Sequence, residues 1–170
     1  MGLWFELPVS IGADVAPSAL ESRFFAAKGG PHVTIVHFGD LELDGDEHAR
    51  ELRSVAQEVI DEAHAEFDLR GPWTLDVTGS GRFLVGPKDW PVDVLLVQSK
   101  ELGILYDTLK YALESRMGIN VDVTYQWVPH VTLGKGGPVV LQRRFQVTAT
   151  TLDLVWSKSG KEKGRWMTSL

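Results

Sequence analysis

Pro31-His32-Val33-Thr34 and Pro129-His130-Val131-Thr132 are the same four residues written twice in one chain. Each copy runs on into an aliphatic residue, Ile35 in the first and Leu133 in the second. Successive side chains of a β-strand alternate between faces, so a His-x-Thr triplet sends its imidazole and its hydroxyl to the same side. Two such strands brought together present two imidazoles and two hydroxyls to one cleft. Proline at the first position costs a strand little, because that residue need not donate to the ladder.

This residue set suits attack at phosphorus without a metal. One imidazole takes a proton from the attacking oxygen, the other gives a proton to the departing one, and two threonine hydroxyls donate to the non-bridging oxygens. An isolated strand histidine is more often a packed or surface residue, and threonine is a good strand former in its own right. Duplication, with the hydroxyl two residues beyond each imidazole, is what lifts His32, His130, Thr34 and Thr132 above that background. With unperturbed histidine near ~6.5, one ring can work neutral and the other protonated close to neutral pH.

The rest of the chain arranges itself around the two motifs. Residues 3–7 alternate as a short strand, and residues 31–38 as a second, with Val33, Ile35 and His37 on the face opposite His32, Thr34 and Val36. Residues 17–27 suit a short helix. Asp44 or Asp46 can cap a long helix reaching about Phe67, with Ala49, Leu52, Val55, Ala56, Val59, Ile60 and Ala63 as its apolar stripe. Three strands, 73–78, 82–85 and 92–98, are predicted as a meander divided at Gly79-Ser80-Gly81 and at residues 86–91. Ser99 caps a second helix, which buries Leu102, Leu105, Tyr106, Leu109, Leu113 and Met117 and stops at Gly118. Residues 145–156 and 165–170 can pair as a terminal hairpin.

Each half thus holds a helix, several antiparallel strands and one Pro-His-Val-Thr. The predicted class is α+β: two pseudo-symmetric lobes of antiparallel strands, helices packed outside, and a central groove carrying the two His-x-Thr motifs. No linker divides residues 1–170, so they are expected to form a single bilobal domain. At 170 residues the chain is long enough to bury roughly 70% of its unfolded surface.

The duplicated motif resembles the paired His-x-Thr/Ser signature of the 2H phosphoesterase superfamily, which includes the 2′-5′ RNA ligase-like proteins and the cyclic nucleotide phosphodiesterases. Gly81-Arg82-Phe83 ahead of an apolar strand, Met117-Gly118 at a helix end, and the run 152–157 with Arg165-Trp166 behind it resemble further landmarks in the same order. The resemblance implies a metal-independent phosphodiesterase without cofactor. Its catalytic residues would be His130 as base and His32 as acid, and its phosphate donors Thr34 and Thr132. Lys135 stands where the family often carries a basic residue; it suits a phosphate or ribose contact and equally an exposed loop lysine. Tyr125 and Trp127 are candidates for stacking a base, although Trp127 stands where the family has a core aromatic. The competing class is a non-catalytic module of the same fold that binds a nucleotide or RNA end.

Composition narrows the partners. A formal charge of −6 argues against a grip on long nucleic acid, which needs many clustered cations, and favours a small nucleotide or short oligonucleotide substrate. Lysines and arginine gather at residues 157–170, a solvated turn or an approach to phosphate. The chain has no cysteine, which excludes thiolate metal sites and cysteine nucleophiles. No apolar run nears the ~20 residues of a membrane span, and the N-terminus lacks the pattern of a secretory signal. A monomeric, cytoplasmic protein with no membrane contact and no metal is expected. Gly134-Lys135-Gly136-Gly137 lacks the strand-to-helix context of a phosphate loop and is set aside.

Overall fold

A computed structural model describes residues 2–11, 23, 30–38, 45–85, 90–121, 127–134, 139–141, 144–158 and 161–170. In chain order the elements are β1 (Gly2–Ile11), β2 (His32–His37), α1 (Gly45–Phe67), β3 (Trp73–Val85), β4 (Trp90–Gln98), α2 (Lys100–Met117), β5 (His130–Gly134), β6 (Phe145–Ala149), β7 (Thr151–Lys158) and β8 (Lys161–Ser169). The expected helix over 17–27, Tyr125, Lys135 and the glycines after Gly134 lie outside the described residues, apart from Arg23.

All strand pairings are antiparallel, in the order β2-β5-β4-β3-β6-β1-β7-β8, and β2 also pairs with β1. The sheet therefore closes through β1, β2, β5, β4, β3 and β6. Strands β6 and β7 follow one another along a single edge of β1, which pairs with Ala149, Thr148 and Val147 through Val9–Ile11 and with residues 153–157 through residues 2–6. Their other edge is shared, β3 taking β6 and β8 taking β7. Hence the expected terminal hairpin forms only in part: β7 pairs with β8, while β6 turns to β3.

Alternation decides which face is core. Leu3, Phe5, Leu7, Val33, Ile35, Leu75, Val77, Leu95, Val97, Val131, Leu133, Leu152 and Leu154 are buried in one cluster with the helix stripes. In α1 that stripe is Leu52, Val55, Ala56, Val59, Ile60 and Ala63, as the 3.6-residue period requires. In α2 it is Leu102, Leu105, Leu109 and Leu113, with Tyr106 and Met117 packed at its margin. Ser99 caps α2 by accepting from the Glu101 amide, and Gly118 ends it at φ 63°, a conformation that glycine adopts without a Cβ penalty. Arg116 of α2 reaches Glu58 and Glu62 of α1, joining the two helices. Neither helix is long and apolar enough to cross a membrane.

Two further expectations need correcting. Gly79-Ser80-Gly81 is not a turn: β3 runs through it, with Gly79, Ser80 and Gly81 paired to Leu96, Leu95 and Val94 and the irregularity absorbed between Val77 and Gly79. Glycine and serine signal a turn locally, but a neighbouring strand that satisfies their backbone groups overrides the signal. The second correction concerns β2. Phe5 pairs with Val36 while the next residue, Glu6, pairs with Thr34, so β2 carries an extra residue at that point. Beyond this bulge the alternation is reset: Val36 joins Ile35 in the core, and His37, opposite Trp4, returns to the face of His32 and Thr34.

Candidate active site

The two motif strands are neighbours, and their pairing is centred on the middle residue of each motif, Val33 opposite Val131. Antiparallel register then sets Thr34 across from His130 and His32 across from Thr132. Both valines are fully buried, whereas the histidines and threonines are half-buried on the opposite face. Burying the valine in each motif is what presents its two neighbours together on the uncovered side of the sheet.

The two histidines have different surroundings. The His130 ring bonds through Nδ1 to the Val128 carbonyl at 2.7 Å, which as an N–H donor leaves Nε2 as the acceptor, and meets the Phe83 ring edge-on with centroids 4.7 Å apart. Burial pushes its pKa below that of an ordinary histidine. The bond to Val128 works the other way, and the nearby charge of His32 adds to the lowering. His32 likewise bonds through Nδ1 to a carbonyl, that of Gly30 at 3.0 Å, but its Nε2 faces Glu6 Oε2 at 3.4 Å.

Glu6 belongs to a charged network that lies outside both motifs and that the sequence reading missed. Its carboxylate accepts from Arg165 Nη1 at 2.7 Å and from the Trp4 indole N–H. The same Arg165 nitrogen reaches Asp153 Oδ2 at 2.6 Å, and Asp153 Oδ1 accepts from the Thr151 hydroxyl. Glu6 and Asp153 are each 1% exposed. A signal was present: each carboxylate stands alone within an otherwise apolar run, at Leu3–Leu7 and Leu152–Val155, and acids inside strands are seldom fully buried without a partner. A third buried carboxylate, Asp93, lies opposite Gly134 where β5 ends. The hydrogen bond from Arg23, joined by that from Arg82, holds its carboxyl below the usual carboxylate range against the opposing push of burial.

Trp127 is a packing residue on its described contacts. Its indole stacks on Tyr106 of α2 with centroids 4.2 Å apart, and its N–H donates to the Thr34 carbonyl at 3.2 Å, so it braces the motif strand from behind. His37 is exposed and stacked over Trp4 at 6.2 Å. Among the described residues, no group of three histidine, aspartate or glutamate side chains is placed to hold a metal ion.

No protein-family model matches the sequence, and no curated protein does. Solved structures match over nearly the whole chain. TT0787 of Thermus thermophilus aligns over 100% of this chain and 95% of its own, with a TM-score of 0.59 at 18% identity. A crystal structure described as a phosphoesterase aligns over 99% of both chains, at TM-score 0.57 and 16% identity. E. coli LigT complexed with 3′-AMP aligns over 97% and 96%, at 0.51 and 17%. These likenesses show that the chain shares the fold of TT0787, of that phosphoesterase and of LigT, and in this chain the antiparallel closed sheet sets the two motif strands side by side.

Proposed function

We propose that the protein is a metal-independent phosphodiesterase acting on small nucleotide phosphodiesters, with a nucleoside 2′,3′-cyclic phosphate as the simplest substrate. The observation that carries this reading is the Val33–Val131 pairing, which turns two sequence motifs into one surface with two imidazoles and two hydroxyls. Strands β1, β7 and β8 extend from one side of that seam and β4, β3 and β6 from the other, consistent with two lobes related by an approximate twofold.

In the proposed reaction His130 Nε2 takes a proton from water as the water oxygen bonds to phosphorus. The bond from phosphorus to one ribose oxygen breaks, and His32 delivers the proton that this oxygen acquires. Thr34 and Thr132 donate to the non-bridging oxygens, on which charge accumulates. The lowered pKa of His130 supports its role as the base, because the ring is neutral at neutral pH. For a linear 2′-5′ or cyclic oligonucleotide, the same groups serve with water or a ribose hydroxyl as nucleophile. Lys135, next in sequence after β5, and Tyr125 are the proposed substrate contacts. The 3′-AMP on the LigT structure supports a nucleotide substrate, since opening a 2′,3′-cyclic phosphate yields a nucleoside monophosphate.

The test is incubation with adenosine 2′,3′-cyclic phosphate and with 2′-5′ and cyclic dinucleotides in EDTA, with products read by mass spectrometry. A phosphomonoester formed in EDTA supports the reading. Tight binding without product would make the protein a binding module, and turnover only on restoring a divalent metal would overturn the two-histidine chemistry.

A further inference from the structure

We propose that Phe83, a residue outside both motifs, is the positioning residue that seats the His130 imidazole, and that the β3–β4 hairpin curls over the groove to bring it there. The inference rests on the phosphodiesterase reading above, in which His130 is the base, and adds to it what holds that base in place.

Ladder positions alone would keep the two rings apart. His130 pairs with Leu96 and Leu96 with Gly79, so Gly79 is the β3 residue level with His130, and Phe83 stands four residues further along. At about 3.3 Å per residue and about 4.8 Å per strand, a flat sheet would set Phe83 roughly 13 Å along and roughly 10 Å across from His130, about 16 Å in all. The ring centroids are 4.7 Å apart. Side chains standing perpendicular to a flat sheet do not close such a gap, so the hairpin twists and folds toward the groove. Irregularities lie where this bend is needed, between Val77 and Gly79 where β3 meets β4, and between Asp93 and Val94 where β4 meets β5. Bulges of this kind bend a strand and sharpen its twist. The burial agrees: Phe83 is half-buried between two exposed neighbours, Arg82 and Leu84.

The contact supplies what the motif lacks. The Nδ1 bond of His130 to the carbonyl two residues back, Val128, holds one point of the ring, and the broad second torsion of histidine lets the rest swing. His32 makes the same bond to Gly30, so that bond belongs to the motif. Phe83 is the described ring contact that His130 has in addition, with the planes 76° apart in the T-shaped arrangement that aromatic rings favour. A ring held at Nδ1 and walled on a second side keeps Nε2 at one angle in the groove. The same wall withdraws the imidazole from water, and burial is the largest cause of its lowered pKa. Among the described residues the titratable group facing His130 is His32 on β2, where Thr34 stands across from it; β4 offers Leu96, and Asp93 and Arg82 pair with each other. Glu6 of β1 faces His32.

The experiment measures kcat, KM and the pH profile on adenosine 2′,3′-cyclic phosphate for Phe83→Ala and Phe83→Tyr, with Phe83→Ala repeated in the His130→Ala background. Phe83→Ala should lower kcat about 10-fold to 100-fold with KM changed by less than about threefold, a smaller loss than the roughly 10²-fold to 10⁴-fold of deleting the base itself. The acid limb of kcat/KM should move up toward the ordinary histidine value of about 6.5, because the ring returns to water. In the His130→Ala background the same change should cost less than about twofold, since Phe83 then has nothing to act through. Phe83→Tyr keeps the ring and should recover most of the loss and return the limb. A packing role would lower Tm with the limb unmoved and both backgrounds weakened alike, and a base-stacking role would raise KM instead; either outcome, or full activity in Phe83→Ala, overturns the proposal. Should Phe83→Ala fail to fold, Phe83→Leu, which keeps apolar bulk without a planar ring, must show the kcat loss and the same dependence on His130. If His130→Ala itself retains activity, it is the two-histidine reading that falls.

Discussion

Replacing His130 with alanine separates chemistry from stability, and the structure sets both magnitudes. The ring makes one hydrogen bond, to Val128, and one edge contact, with Phe83, and it is only half-buried. Losing an aromatic contact costs about 0.5–1.5 kcal/mol and a net hydrogen bond about 1 kcal/mol, so the fold should weaken by about 2 kcal/mol. For a domain of this size that lowers Tm by roughly 4–8 °C. Removal of a general base costs about 10²-fold to 10⁴-fold in turnover, roughly 3–5 kcal/mol of barrier. Initial rates on adenosine 2′,3′-cyclic phosphate, measured in EDTA beside a thermal melt, read the two effects independently. The wild-type rate should also keep rising with pH only to a point below 6.5, the ordinary histidine value, because burial lowers the pKa of this base. Stability carries the same signature. Between the lowered folded value and the unfolded value the native state binds fewer protons than the unfolded chain, so stability is complete above about 6.5 and declines as pH falls through that window. His130→Ala should flatten this decline. Turnover within about tenfold of wild type, or a melt lowered so far that the activity loss follows unfolding, would refute the assignment of His130 as base.

Thr34→Val and Thr132→Val keep the strand and its shape while removing a donor to phosphate; each should reduce kcat/KM by roughly 10-fold or more with Tm nearly unchanged, and a change in Tm alone would make the threonines structural. Gly164→Ala should be destabilising by about 1–3 kcal/mol in a denaturant melt, because a Cβ there would lie 2.7 Å from Trp156 Cη2 and closer still to two other atoms of a rigid ring that is capped by Arg53; an unchanged midpoint would contradict this packing. Short substrates should be handled as well as long ones, with a salt dependence corresponding to roughly one to three phosphates, and a steep salt slope with strong preference for long RNA would point instead to a polynucleotide channel.

Whatever depends on local period and on local backbone chemistry is legible in the order of residues. The stripes of α1 and α2, the Ser99 cap and the Gly118 stop follow from 3.6-residue spacing and from end groups that must be satisfied within a few residues. The two motifs are legible for the same reason, since alternation alone puts His32 with Thr34 and His130 with Thr132. Features that depend on strand neighbours are settled only by folding. The bulge in β2 exists only against β1, and it reverses the faces of Val36 and His37. Gly79-Ser80-Gly81 becomes strand only because β4 pairs with it. Most consequentially, Arg165 meets Glu6 across most of the length of the chain, through β7 and β8, and so places a charged network beside His32, whereas the described ring contact of His130 is with Phe83. Pro-His-Val-Thr is identical in both copies, so nothing within it can make the surroundings of the two histidines differ; the difference comes from groups distant in sequence, which only the pairing of strands brings within reach.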